Sequence, residues 1–382
     1  MARLGDTLRS FVGGEGASEA ARAMGAGRAV GFVVGDESAT LSTTEAGVTV
    51  TDGVDATALV VSMDAGAFAD LLSEEHSVFG LLYGGRLVVE RGEFDHFAAW
   101  EPALQALLYD RPVFDASCAV PDDVDVTRVW TLDDDETEMR AMLDRAGFLH
   151  LRGVFTPDEV AQLSAEADRL RDEARPGDRT SWWATLDDGT EVCCRVTYMA
   201  DRSEAYAALA HDPRLARLAA LSGLDLRVAP DRNDGVSVVI KNPGAVSGLS
   251  DLPWHRDCGL GGHPNMCPGI LVGVNLDRAD AEHGQLWFLP GSHRHGGPVG
   301  DPVIGGHRVV AIDCEPGDVT VHHQHALHAA PAPTASTGRG RRAVYVGFER
   351  EDLFHAMASG RAYNDVIYAA DGSVRNVAEA SA

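Results

Sequence analysis

Trp254-His255-Arg256-Asp257 is the stretch that decides how this 382-residue chain is read. An imidazole and a carboxylate two positions apart fall on one face of a β-strand, because side chains alternate with a period of two. His255 and Asp257 can therefore reach one metal ion, while Arg256 points to the opposite face. A further imidazole has to come from elsewhere. His322, His323, His325 and His328 cluster well downstream, in a strand-like segment. Two histidines and one carboxylate form the facial set that holds non-haem Fe(II) and leaves coordination positions open. Spacing alone does not choose among the four downstream histidines, and an isolated His-x-Asp is a weak signal.

Composition bounds the remaining possibilities. The formal charge of −26 argues against nucleic acid and anionic membrane surfaces as partners, since both are bound through basic contacts. No apolar run reaches membrane-spanning length. The start, Met1-Ala2-Arg3-Leu4-Gly5-Asp6, lacks the long apolar core of a secretory signal, so a soluble, cytoplasmic protein is expected. The six cysteines are scattered without a CxxC pair, which predicts free thiols. Cys258 directly follows Asp257 and is expected to be a buried filler at the edge of the site. Lys241 is the only lysine. It ends the apolar run Val238-Val239-Ile240, just before the His255 motif, and is a candidate contact for an anionic co-substrate or substrate.

Residues 1–113 read as an α+β domain. Strands are predicted at Arg28–Val34, Ala39–Ser42, Gly47–Thr51, Ala58–Met63 and Arg86–Glu90. Helices are predicted at Asp64–Ser73 and Glu93–Leu108, the second carrying Phe94, Phe97, Trp100, Leu104 and Leu107. This order, with the closing run Phe79-Gly80-Leu81-Leu82-Tyr83-Gly84-Gly85-Arg86-Leu87-Val88-Val89-Glu90-Arg91-Gly92, resembles the sterol carrier protein type 2 family. The resemblance implies an apolar interior that holds lipid or acyl groups. Residues 114–135 read as an acidic linker, with Pro121-Asp122-Asp123 and Asp133-Asp134-Asp135 as solvated loop.

Residues 136–382 form the second domain. Gly147–Phe155 reads as a strand and its exit. Thr156-Pro157-Asp158-Glu159 reads as a helix start with a capping box, and Tyr206–Leu221 reads as one helix. From Gly235 onward, short strands separated by Gly, Pro and Asp suggest a barrel or jelly roll. Downstream of the His-x-Asp lie Glu282-His283-Gly284-Gln285-Leu286-Trp287-Phe288-Leu289-Pro290-Gly291-Ser292-His293, then Glu315-Pro316-Gly317-Asp318 leading to His328, then Arg341-Arg342-Ala343-Val344-Tyr345. Together, over roughly 136–350, these segments resemble the phytanoyl-CoA dioxygenase family of Fe(II)- and 2-oxoglutarate-dependent oxygenases. The implied fold is a mainly-β double-stranded β-helix, jelly-roll or cupin-like, with flanking helices.

The resemblance assigns roles. Its aromatic-His-x-x-x-x-His pattern selects His328 as the distal ligand beside His255 and Asp257. His322, His323 and His325 are then expected behind the site or on the surface, with most turnover surviving His322→Ala. The bound species would be Fe(II), with 2-oxoglutarate and O2 as co-substrates. The distal carboxylate of 2-oxoglutarate needs a planar, bidentate cation. Arg339 fits the family's spacing, Arg341 fits its sequence context, and Arg342 competes; Arg341 is the choice. Ala330 stands where many members carry a hydroxyl residue, and an aromatic of some members is missing near Gly273. The position that becomes Gly or Ala in the family's halogenases is Asp257 here, which favours hydroxylation of an unactivated C–H bond. The substrate would be a small molecule, apolar or acyl-linked if the N-terminal resemblance carries over. Two other readings are a lipid carrier with an inactive barrel and a zinc hydrolase. The first leaves an intact ligand set unexplained, and the second lacks a general base beside the motif.

Overall fold

A computed structural model gives the structure of residues 3–78, 81, 86–93, 96–97, 99–228, 235–245, 252–258, 268–298, 300–335, 338 and 340–356. The first part opens with α1 (Leu4–Arg9) and α2 (Glu15–Met24). Strands β1 (Ala29–Val34), β2 (Glu37–Thr44), β3 (Gly47–Asp52), β4 (Leu59–Met63) and β5 (Leu87–Arg91) form a sheet of order β3-β2-β1-β4-β5. Between β4 and β5, α3 (Ala65–Leu72) starts where the Asp64 side chain accepts from Ala67 N at 2.6 Å, an N-cap that satisfies an otherwise orphaned donor. Helix α4 (Glu101–Tyr109) carries Pro102 in its first turn, and a turn at 99–100 separates it from the helical residues 96–97. Proline favours the first turn, and Phe97 and Trp100 are buried just ahead of it.

Helix α2 has no large apolar stripe to announce it. Its buried face is Gly16, Ala17, Ala20 and Ala21. A Cβ on Gly16 would sit 2.1 Å from Ala106 O, so α2 and α4 pack backbone to backbone. The interior beneath the sheet is filled by aromatic rings: Phe32 lies 6.3 Å from Phe68 and 6.2 Å from Phe97 between centroids. Of the glycine-rich run Phe79–Gly92, residues 79–80 and 82–85 lie outside the described residues, as does Phe94.

The segment 114–135 is packed along much of its length. Phe114, Val120, Val126 and Trp130 are buried, and β6 (Val129–Trp130) pairs in parallel with β7 (Phe148–Leu151). Its acidic run is not plain solvated loop. Asp134 accepts from Thr131 N at 2.7 Å, and Asp135 caps α5 (Glu136–Ala146) through Thr137 N at 2.7 Å. Helix α6 (Pro157–Glu173) carries the expected capping box between Thr156 and Glu159. The single helix expected at Tyr206–Leu221 is two, α7 (Glu204–Ala210) and α8 (Pro213–Ala219). Pro213 cannot continue the first helix, and the Asp212 side chain caps the second through Arg214 N.

The remaining strands make two facing antiparallel sheets, the double-stranded β-helix. They are β8 (Ser181–Thr185), β9 (Glu191–Val196), β10 (Arg227–Val228), β11 (Ser237–Lys241), β12 (Leu252–His255), β13 (Ile270–Asn275), β14 (Leu286–Phe288), β15 (Val310–Ile312), β16 (Val319–His323), β17 (His328–Ala330) and β18 (Arg341–Glu349). The major sheet runs β6-β7-β16-β13-β18-β11-β9-β8, with β10 on β18; the minor sheet runs β12-β17-β14-β15. One face of the major sheet buries Val238, Ile240, Val272, Val274, Val319, Val321, Val344 and Val346 against α5 to α8. Among the described residues, no helix is long and apolar enough to cross a membrane.

Arg342 lies on that helix-covered face. Its guanidinium meets Asp277 Oδ2 at 2.7 Å and Asp168 Oδ1 at 2.9 Å, tying β18 to α6. Removing one partner of a buried pair strands the other, although Asp168 and Asp277 keep part of their hydration. Arg342→Met is therefore expected to lower the unfolding free energy by about 2–3 kcal/mol, measurable by chemical denaturation.

Candidate metal and co-substrate site

The minor sheet brings the motif residues together at one point. His255 closes β12 and is register-paired with His328, which opens β17. Their rings lie 4.3 Å apart between centroids. Asp257 is not in the strand. It follows the end of β12, and its backbone N donates to Gln324 O at 3.0 Å. The two side chains converge by a local geometry other than strand alternation: the β12–β17 pairing shifts register between Leu252 and His255, and a loop anchor aims the carboxylate. Arg256 points away, as expected, and donates to His325 O at 3.0 Å and His295 O at 2.9 Å.

One ligand atom from each of His255, Asp257 and His328 lies within 4.8 Å of the others. His255 Nε2 is 3.8 Å from Asp257 Oδ1, and His328 Nε2 is 3.7 Å from Asp257 Oδ2. That spacing suits three donors around one ion. Burial pushes His328 down to about 3, so its lone pair is available at neutral pH, as ligation requires. Burial alone would raise Asp257, but His328, His322 and His255 outweigh it and hold the carboxyl well below its usual range. His328 Nδ1 lies 2.9 Å from Ala326 O, the contact that fixes a ligand's tautomer and leaves Nε2 facing the site.

The other downstream histidines divide. His323 stacks on His293 at 4.8 Å with a 7° interplanar angle, and His325 Nδ1 lies 3.2 Å from His293 O; both belong to packing behind the site. His322 is neither on the surface nor remote. It is fully buried, and its Nε2 lies 3.3 Å from Asp257 Oδ2. Its position on β16 points it between the sheets, which the sequence pattern did not reveal. A second group, His150, Cys314 and Asp318, is also compact. Its carboxylate is already taken by His150 Nε2 and by the backbone N–H groups of Gly153 and Glu315, each within 3.0 Å. Among the described residues the cysteines form no disulfide, and Cys258 is buried; Cys267 lies outside the described residues.

Two buried cations flank the metal-facing residues. Lys241 and Arg341 are register partners across β11 and β18, and both are buried. Lys241 Nζ donates to Ala330 O, two residues beyond His328 along β17. Arg341 donates to Gly284 O at 2.8 Å and contacts Tyr345 Oη at 3.3 Å; its Nε is buried without a hydrogen-bond partner. Among the described residues no carboxylate lies within ion-pair distance of Arg341. A buried guanidinium held only by neutral groups is costly unless an anion joins it. A guanidinium so placed offers a carboxylate the planar, bidentate partner it favours. Arg342 is excluded by its acid partners on the opposite face, and Arg339 lies outside the described residues.

The sequence departures acquire a cause here. A Cβ on Gly273 would sit 2.8 Å from both Thr320 Oγ1 and the Tyr345 ring. The ring missing from β13 is supplied from β18. Gly284 has φ of 71°, and a Cβ there would lie 2.5 Å from Pro331 O. Only glycine readily takes that conformation, and it turns the Gly284 carbonyl onto Arg341. Ala330 contributes its carbonyl rather than a side-chain hydroxyl.

Ectoine dioxygenase of Streptomyces coelicolor (strain ATCC BAA-471 / A3(2) / M145) is 31% identical over 157 residues, which is 40% of this chain and 49% of that protein. The chain thus spans about half the length of this curated relative. Among solved structures, AviO1 from Streptomyces viridochromogenes Tue57 is 25% identical, with 57% of this chain and 96% of that chain covered and a TM-score of 0.46. EctD from S. alaskensis, solved with 2-oxoglutarate and 5-hydroxyectoine, is 22% identical, with 62% and 84% covered and a TM-score of 0.47. The profile of phytanoyl-CoA dioxygenase (PhyH) matches residues 143–343, just over half of the chain. The chain therefore belongs to the phytanoyl-CoA dioxygenase family, the oxygenases that use Fe(II), 2-oxoglutarate and O2.

Proposed function

We propose that this protein is an oxygenase in which His255, Asp257 and His328 hold Fe(II), and Arg341 with Lys241 receives the distal carboxylate of 2-oxoglutarate. The oxygenase unit is residues 136–382, and residues 1–113 are a separate α+β unit joined through 114–135. The observation that carries this reading is the pairing of two sites: three convergent ligand atoms, and beside them a buried Arg341 with only neutral partners. Iron with 2-oxoglutarate and O2 supplies oxidation of a C–H bond coupled to decarboxylation to succinate; here that is hydroxylation of a small molecule.

The protein's part is orientation and charge. His255 and His328, fixed as a cross-strand pair, present two neutral donors on one side of the ion. Asp257 supplies the compensating negative charge. Arg341 and Lys241 neutralise the second carboxylate of the co-substrate, so its other end can be directed at the metal. Phe288, 5.7 Å from His328 and stacked at 4.5 Å on Phe148, closes the wall behind the histidines.

The test is succinate release from 2-oxoglutarate by protein reconstituted anaerobically with Fe(II), then exposed to O2. Turnover that needs both Fe(II) and 2-oxoglutarate is expected. No succinate from protein that has bound stoichiometric iron would instead favour a carrier with an inactive barrel. Zinc rather than iron in protein purified anaerobically, with no succinate formed, would favour a hydrolase. Metal binding to the folded state alone also stabilises it by mass action. Co(II) at about a hundredfold its Kd is expected to add about 2.7 kcal/mol, read as a rise in melting temperature that a chelator reverses.

A further inference from the structure

We propose that His322 is a positioning residue that holds Asp257 to one-oxygen coordination and so keeps a metal position open. This rests on the metal-site reading above. In the aromatic-His-x-x-x-x-His pattern, His322 stands at the aromatic position. Its ring fills that role in shape, 5.2 Å from Phe288 and 4.9 Å from His328 between centroids. An aromatic hydrocarbon would do the same without burying polar atoms. His322 buries two: Nδ1 has no hydrogen-bond partner, and Nε2 lies 3.3 Å from Asp257 Oδ2. The polar gain from having histidine here is that contact.

The contact matters because both oxygens of Asp257 face ligand histidines, Oδ1 toward His255 and Oδ2 toward His328. Nothing in those two distances selects one oxygen over the other. A carboxylate free to use both would take a coordination position needed by 2-oxoglutarate or O2. An N–H donated from His322 Nε2 to Oδ2 occupies that oxygen and leaves Oδ1 for the metal. The donor comes from β16 of the major sheet, whereas His255 and His328 come from the minor sheet. His322 therefore braces the carboxylate against the opposite wall, independently of the strand pair that fixes the two imidazoles.

Two variants separate shape from hydrogen bonding. His322→Phe restores the aromatic and deletes the donor, while His322→Gln keeps an N–H of similar reach. Each is loaded with Co(II), and the ligand-field spectrum and Co(II) affinity are measured alongside melting temperature. The phenylalanine variant is expected to bind about 10- to 100-fold more weakly and to show a spectrum of altered coordination. The glutamine variant is expected to recover most of both. A phenylalanine variant with wild-type spectrum and affinity would overturn the inference, as would a folded glutamine variant no better than phenylalanine. A wild-type protein that takes up no Co(II) or Fe(II) would overturn the metal-site reading itself, and this inference with it.

Discussion

Asp257→Ala is expected to abolish iron binding and 2-oxoglutarate turnover together. The substitution leaves His255, His322 and His328 around a site with no anionic ligand, so the ion's charge is no longer offset locally. Removing a residue that merely supports a ligand typically costs 10- to 100-fold in affinity or activity; removing the ligand itself should exceed that, more than about a hundredfold in succinate formation. The fold should survive. Asp257 stands past the end of β12, and its structural anchor is the backbone N–H to Gln324 O, which alanine keeps. Metal content after anaerobic loading, measured with circular dichroism, tests both halves. Stoichiometric iron in the alanine variant would mean that the ligands are wrongly placed.

Arg341→Met should act on the co-substrate rather than the metal. Loss of one partner of a buried, hydrogen-bonded charge pair costs about 2–5 kcal/mol, so KM for 2-oxoglutarate should rise roughly 30-fold or more. Arg341→Lys should restore little, because a point ammonium does not reproduce the planar fork. The stability readout has the opposite sign from Arg342→Met. Arg341 is buried against the Gly284 carbonyl and the Tyr345 hydroxyl only. In the absence of co-substrate, replacing that cation by an apolar side chain of similar length should leave the melting temperature unchanged or raise it. A large fall in melting temperature with KM intact would show that Arg341 is structural.

The double-stranded β-helix was legible because its signals are local and ordered. His-x-Asp, the Pro-Gly-Ser turn, the Gly-Asp strand and the arginine strand each mark a short element, and their order implied the sheet. The capping box at Thr156 and the strand at Phe148–Leu151 were readable from a few residues each. Helix α2 was not, because a glycine–alanine face leaves no apolar period to detect. The break at Pro213 lay inside an otherwise helical pattern. His322 could be placed only as behind the site or on the surface, because the spacing of β16 along the chain does not encode its distance to Asp257. Sequence context likewise did not show that period two sends Arg341 toward Tyr345 and Arg342 toward Asp277.

Those adjacent arginines make β18 self-checking. Arg342 is satisfied where Asp277 and Asp168 wait, and Arg341 on the other face meets the Gly284 carbonyl and the Tyr345 hydroxyl. Sliding the strand by a single position would exchange the two. An acid-paired guanidinium would then be pulled from its partners, and the Val344 and Val346 side chains would turn from oil to polar surroundings. The preceding connection, 331–340, can therefore vary in length only if that phase is kept. Insertions there should either be absorbed wholly within the loop or prevent folding outright, with no intermediate class of folded protein carrying a shifted receptor.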